Sequence, residues 1–292
     1  MNETLESMAR ALFKSWFVDF DPVIDNALAA GSSIAEPLAA RASAREALGD
    51  QRKPLPENIR TLFPASFIFD EEMGWIPEGW EISRVEDVSV AVGMGPFGSN
   101  IKTDTFVDTG VPIVNGQQLN GLLLQDGKNN FITESHAEKL HKSLVYRGDL
   151  VFTHRGTIGQ VSLVPNESEY ERYIASQSQM YLRPDSQLIT SLYLIHLFQS
   201  HLGQAALLAN RSQVGVPSIA RPSSHLKNIR LLVPDRRCLQ AFDNNCSQWI
   251  ERIAQTRVNT KVLAKLRDTL LPKLLSGELR IPEAEKLVAD NV

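Results

Sequence analysis

Amide and guanidinium side chains recur in the loop-like stretches of this 292-residue sequence, and these groups can pair two-pronged with base edges, Asn or Gln with adenine and Arg with guanine. Asn115, Gln117, Gln118 and Asn120 follow the strand-like VPIV. His154, Arg155 and Thr157 follow LVFT, and Arg211, Ser212 and Gln213 follow an apolar helical stretch. Gln177 and Gln179 alternate onto one strand face. Ser99, Asn100 and Lys102 close a glycine loop, and Lys227 lies in a basic segment; the two lysines suit phosphates better than bases. Any one such Asn or Gln is ordinarily a turn residue. Their recurrence carries the signal, beside a stretch from Asp185 to Asp235 that contains no other acid and holds Arg211, Arg221, Lys227 and Arg230.

Other chemistry finds less support. Gly93, Gly95 and Gly98 in GMGPFG fit G-x-G-x-x-G after the strand-like VSVAV, but a dinucleotide site needs a helix to start at the third glycine. Pro96 removes an N–H from the turn, and IKTDTFVDTG lacks helix formers, so the glycines are read instead as allowing close approach to something flat or charged. No G-x-S-x-G elbow is present, and neither Cys238 nor Cys246 has a polar setting. Asp104, Asp108, Asp126 and Asp149 are read as turn formers on a solvated surface rather than metal ligands. Gly148, Gly156 and Gly159 in GDLVFTHRGTIGQV are read as shaping a turn and a loop between buried strands.

Composition is that of a globular protein, 43% apolar and 22% charged, with only two cysteines and six histidines and no zinc-ligand spacing. The start MNETLESMAR argues against a signal peptide, and no apolar run reaches 18 residues, so a cytoplasmic setting is expected. The net charge of −4 argues by itself against a nucleic-acid partner, yet it is unevenly spread. Residues 1–185 hold 16 basic and 26 acidic side chains, whereas residues 186–280 hold 13 and five. Such segregation allows a local positive field within an acidic chain.

These loops need a scaffold, and the periodicities describe an α+β fold: one mixed α/β domain plus a long C-terminal coiled-coil helix. Residues 1–20 form an amphipathic helix with Leu5, Met8, Leu12, Phe13, Trp16 and Phe17 in one stripe that needs a partner. Residues 21–73 are broken by Pro and Gly and read as a connecting region that wraps another surface. Residues 74–235 form the mixed domain, with short strands near 88–92, 111–114, 144–153 and 160–164 and one helix near 188–209. Residues 236–276 form the long helix, about 35 residues in the heptad rhythm of Leu239, Phe242, Trp249, Ile253, Leu263, Leu270 and Leu274, and 277–292 are a tail. Sliding the first helix forward sets its six stripe residues over Leu263, Leu266, Leu270, Leu271, Leu274 and Leu275, the signature of an internal repeat.

The order of these motifs resembles the DNA-specificity subunits of type I restriction-modification systems. LESMARALFKSWFVDFDPV looks like the end of that family's central helical region, IPEGWE like the entry to a target recognition domain, and GPFGS and GDLVFTHRGTIGQV like its strand-loop motifs. LLPKLLSGELRI looks like the C-terminal close. The resemblance implies a non-catalytic subunit that reads double-stranded DNA and directs methyltransferase and restriction/translocase subunits to a split site. S-adenosylmethionine, ATP and magnesium would belong to those partners. A usual family member carries two recognition domains, and this chain carries one, which implies a half-subunit acting as a homodimer or with another half. The rival reading is a coiled-coil scaffold whose mixed domain binds protein. Neither the DNA sequence read nor the oligomeric state follows from the residues alone.

Overall fold

The computed structural model describes residues 2–98, 101–212 and 215–283. Helix α1 (Asn2–Phe13) runs into a wider π-type turn at Lys14–Val18 and is followed by α2 (Asp21–Ala30), α3 (Glu36–Ala47) and α4 (Glu57–Arg60). Charged pairs shape this segment: Arg41 grips Asp21 with two bonds of 2.8 Å, and Arg45 and Arg52 both reach Asp25. The Asn26 amide donates to the carbonyls of Arg60 and Phe63, which folds α4 back onto α2.

Strands β1 (Phe67–Asp70) and β2 (Gly74–Pro77) make a hairpin, and β3 (Glu81–Arg84) leads to β4 (Ser89–Met94). Then come β5 (Val111–Val114), β6 (Asn130–Ile132), α5 (Glu134–Lys139), β7 (Leu144–Tyr146), β8 (Leu150–Thr153), β9 (Val161–Leu163), β10 (Arg172–Ala175) and β11 (Gln179–Pro184). They form two four-stranded sheets, ordered β6-β5-β10-β7 and β4-β11-β8-β9, antiparallel except where β5 runs parallel to β10. Period-two alternation sorts the side chains into layers. Val114, Val145, Tyr173 and Ala175 of one sheet meet Val151 and Tyr181 of the other, so the sheets pack face to face. The outer face of the first sheet, with Val111, Ile113, Ile132 and Ile174, is closed by Ala137 of α5. The outer face of the second, with Leu150, Phe152, Met180 and Leu182, meets the helices that follow.

Those helices are α6 (Ser191–Gln199) and α7 (His201–Leu208), where one continuous helix is expected from the apolar period. Ser200 is extended and caps α7 through the Gly203 N–H, and a Cβ on Gly203 would lie 2.1 Å from the Leu197 carbonyl. The break lets the two helices turn tightly on each other. A short ladder of β12 (Arg211–Ser212) and β13 (Ser218–Ile219) follows, then α8 (Pro222–Asn228), β14 (Arg230–Val233) paired with β3, and α9 (Arg236–Leu275).

At 40 residues α9 is longer than its heptads suggest. Phe13 lies beside Phe242 while Glu6 pairs with Arg257 at 2.9 Å, so α1 runs antiparallel to the first half of α9. For α1 and the first half of α9 this corrects the expected assignment of the helical stripes to a partner chain. Phe13, Trp16, Phe17, Leu239, Phe242 and Ile253 are buried in this chain's own core, against Tyr193, Trp80 and Phe63. Leu5, Leu12, Trp249 and Leu274 are half-buried and Leu270 is buried, which leaves Met8 and Leu263 as the exposed members of the stripes. The reason is width: a stripe with three large aromatics cannot be covered by one helix and takes α6, α9 and the β2–β3 turn together. His196 of α6 stacks on Phe13 in this core, and burial, with Arg10 nearby, pushes its imidazole down to about 4, so it is neutral at physiological pH.

Replacing Phe242 with Ala is expected to cost about 3–5 kcal/mol of stability, whereas Leu263→Ala, at an exposed position, should cost less than about 1 kcal/mol. Denaturant unfolding of the isolated chain decides this; equal losses would return the stripe to an intermolecular role.

Candidate nucleic-acid interface

The strand directions bring the amide-rich loops to one end of the sheet pair. Strand β4 ends at Met94 opposite Met180, and β8 ends at Thr153 opposite Gln179, the first residue of β11. The parallel strands β5 and β10 end side by side at Val114 and Ala175. The loops 95–98, 115–120, 154–160 and 176–178 therefore emerge together. The β12–β13 ladder joins them, because Ile219 N donates to His154 O, Gly156 N donates to Pro217 O, and Arg155 bridges to Ser218.

Between these loops lies a cleft of about 480 Å³ whose lining holds amide, hydroxyl and guanidinium groups and no acid. Its floor is a polar network. Thr153 Oγ1 donates to Gln160 Oε1 at 3.0 Å and accepts from Gln179 Nε2 at 3.3 Å, while Gln160 Nε2 donates to Gly116 O at 3.1 Å and Ser176 Oγ donates to Gln179 Oε1. Buried amides held in this way have fixed rotamers and little spare bonding capacity. Gln117, Asn120, Arg155 and Thr157 stand exposed above them at the mouth.

Several residues expected to contact a ligand turn inward instead. Gln118 is buried, accepting from the Asn115 N–H at 2.9 Å and donating to Asn129 Oδ1 at 3.1 Å. Gln179 belongs to the floor. His154 is buried with Nε2 donating to Gln177 O, and burial, ahead of the hydrogen bonds that oppose it, holds its pKa below the ordinary 6.5, so it is a neutral fixture of the turn. Asn115 is half-buried and its Oδ1 accepts from Gln117 N, an Asx turn that shapes the loop. Asn115, Gln118 and His154 are spent on nearby backbone groups, and Gln179 on the hydroxyls of Thr153 and Ser176.

The rest of the expected face is dispersed. Gln177 is exposed at the tip of the β10–β11 turn and donates to Gly98 O. Arg211 is exposed and Ser212 half-buried on β12, Lys102 is exposed where the Thr103–Thr105 turn begins, and Lys227 is half-buried on α8. Ser99, Asn100 and Gln213 lie outside the described residues. Gln160 and Ser178, which line the cleft, are missing from the sequence expectation, because a Gln next to a strand and a Ser in a three-residue turn carry no local signal.

Two glycine readings change as well. A Cβ on Gly93 would lie 2.4 Å from the Tyr181 ring and one on Gly95 1.8 Å from Ser176 O, so both are required by internal packing rather than by an external ligand. Gly156 and Gly159 do shape the loop, at φ +91° and +92°. Asp149 and Asp126 are framework groups rather than solvated turn residues. Buried Asp149 takes two bonds from Arg183, at 2.7 and 2.9 Å, and Asp126 accepts from the Tyr173 hydroxyl at 2.9 Å. Burial pushes the thiols of Cys238 and Cys246 up to about 12, which leaves them unreactive. Among the described residues no cluster of three or more His, Cys, Asp or Glu side chains could hold a metal ion, and no helix is long and apolar enough to cross a membrane.

Residues 77–253, which include both sheets and the cleft, match the family described as "Type I restriction modification DNA specificity domain". The match spans more than half of the chain, and the chain belongs to that family. It is 24% identical over 297 residues to the HindI specificity subunit of Haemophilus influenzae, covering 96% of this chain and 62% of that one. It is 24% identical over 289 residues to the MjaIX specificity subunit of Methanocaldococcus jannaschii, covering 97% and 54%. The chain thus spans between half and two thirds of the length of these relatives. Among solved structures, the type I S subunit from M. genitalium overlays with a TM-score of 0.47 at 18% identity, covering 68% of this chain and 46% of that one. The HsdS subunit from Thermoanaerobacter tengcongensis gives 0.43 at 15%, covering 84% and 55%.

The division between floor and mouth is testable by stability alone. Gln118→Ala strands the Asn115 N–H and is expected to cost about 1–3 kcal/mol, while Gln117→Ala should stay within about 0.5 kcal/mol of the parent in chemical denaturation. The opposite order would place Gln118 among the ligand-facing groups.

Proposed function

We propose that the chain is the DNA-reading subunit of a type I restriction-modification complex, with Gln117, Asn120, Arg155 and Thr157 at the mouth of the cleft meeting base edges. The observation that carries this reading is the cleft itself: it lies within the family-matched stretch, its lining is free of acid, and its polar floor is hydrogen-bonded internally while Gln117, Arg155 and Thr157 stand exposed at its rim. Amide and guanidinium groups held on a rigid floor are the donors and acceptors that separate A·T from G·C in the major groove. The chain is non-catalytic in this reading. Methyltransferase subunits carrying S-adenosylmethionine, and a restriction/translocase subunit using ATP and magnesium, do the chemistry.

One recognition domain serves a split target in this reading when the chain acts as a half-subunit that pairs with a second copy or another half. The outer half of α9, where Val258, Val262, Leu263, Leu271 and Leu275 are exposed, offers an apolar surface for that pairing or for methyltransferase docking. The scaffold reading would leave the acid-free cleft without a use.

Arg155→Ala is expected to weaken or relax recognition by about 1–3 kcal/mol at one base pair of the target, while Lys102→Gln and Lys227→Gln weaken binding to all duplexes alike and each lower the salt slope by about 1. Binding titrations against a panel of single-base target variants measure both effects. An Arg155→Ala protein with parental affinity and preference would remove that residue from the reading face.

A further inference from the structure

A second concavity, of about 980 Å³, adjoins the cleft where Gly95 packs against Ser176. Its floor is the glycine backbone at the end of β4. One wall is the turn after α5, with Lys139, His141 and Lys142, and the other is Arg221 at the start of α8. Both walls are fixed. Ser143 Oγ donates to Met94 O at 2.8 Å and Tyr181 OH donates to Lys142 O at 3.1 Å, which hold the first wall under β4. Arg221 is held in the left-handed region, φ 47° and ψ 56°, between the bond from Ala220 N to Asn210 O and that from His225 N to its own carbonyl.

The cations of this groove differ from the arginines that brace the framework. Arg172, Arg183, Arg230 and Arg257 all sit in ion pairs. Lys139, Lys142 and Arg221 are exposed, and among the described residues none of them forms an ion pair. The acids of α5 do not neutralise them, because Glu134 and Glu138 both turn to Arg172, and no acid lines the groove. Three unpaired cations on the two facing walls of an acid-free groove, in a chain of net charge −4, create a local field suited to a string of phosphates.

We propose that this groove holds the sugar-phosphate backbone of the DNA strand whose base edges occupy the adjoining cleft, with Lys139, Lys142 and Arg221 as its phosphate contacts. The proposal rests on the DNA-reading function above and deepens it. Phosphate contacts fix register and orientation and carry no sequence information, so the groove supplies affinity and the cleft supplies choice. The bare floor follows from the glycines, since a side chain at Gly93 or Gly95 would displace Tyr181 or the Ser176 carbonyl.

The test is the salt dependence of duplex binding by the full chain carrying Lys139→Gln, Lys142→Gln and Arg221→Asn, Asn being chosen because it tolerates the left-handed backbone. Log affinity against log salt is measured on target and unrelated duplexes. The slope should fall by about 2.7, three contacts at ~0.9 each, equally on both duplexes and with the sequence preference kept. A second variant, Lys139→Arg with Lys142→Arg, should restore the parental slope at those two positions. An unchanged slope in the triple variant beside a normally binding parent overturns the groove alone, as does a loss shared by the charge-preserving variant. A parent that binds no duplex in a salt-sensitive way overturns the DNA-reading function and the groove with it.

Discussion

Phe242 lies where Phe13, Trp16, Phe17 and His196 converge, with ring centroids 5.3–6.3 Å away. Burying a large aromatic side chain is worth roughly 1.5–3 kcal/mol, and three of these rings come from one end of α1 and the turn that follows. That density of apolar surface dictates how α1, α6 and α9 meet. Helix α6 carries the constraint onward, since its Phe198 ring packs edge-on at 5.0 Å against Phe152 of β8. The long helix and the sheet whose strand ends carry the cleft are therefore linked through one continuous apolar core.

The cleft depends on the same economy at smaller scale. Thr153, Gln160, Gln179 and Ser176 come from four loop or strand ends, and their mutual hydrogen bonds fix the distances between those ends. A buried amide left unpaired costs more than a bonded one gains, so the network is stable only when every loop is in place. At the rim Asn120 is tied back to Gln117 O, while Gln117, Arg155 and Thr157 stand exposed on that rigid base. The division suits a surface that must present the same donors and acceptors each time.

Much of this architecture was legible in the sequence. The α+β class, the long C-terminal helix and the glycine-shaped loop at 156–159 follow from period and composition, because these are local properties of the chain. The family was legible in the order of its motifs. The direction in which an amide points was not. Gln117 and Gln118 are neighbours of identical chemistry, yet one is exposed and the other is consumed by Asn115 and Asn129, an outcome set by a residue eleven positions away. The apolar stripe on α1 was legible, but its partner was not, since a helical period says that a surface must be covered without saying by which chain. Lys139, His141 and Lys142 passed unnoticed because their common groove with Arg221 arises only when the sheets pack.

In the proposed role this one domain selects a DNA sequence for partners that modify it. Mapping the adenines methylated when the chain is co-purified with its methyltransferase subunit and incubated with genomic DNA tests it most directly. Methylation is expected to be confined to one split motif, symmetric if two copies of the chain pair. A stable complex that methylates adenines with no common flanking sequence would contradict it.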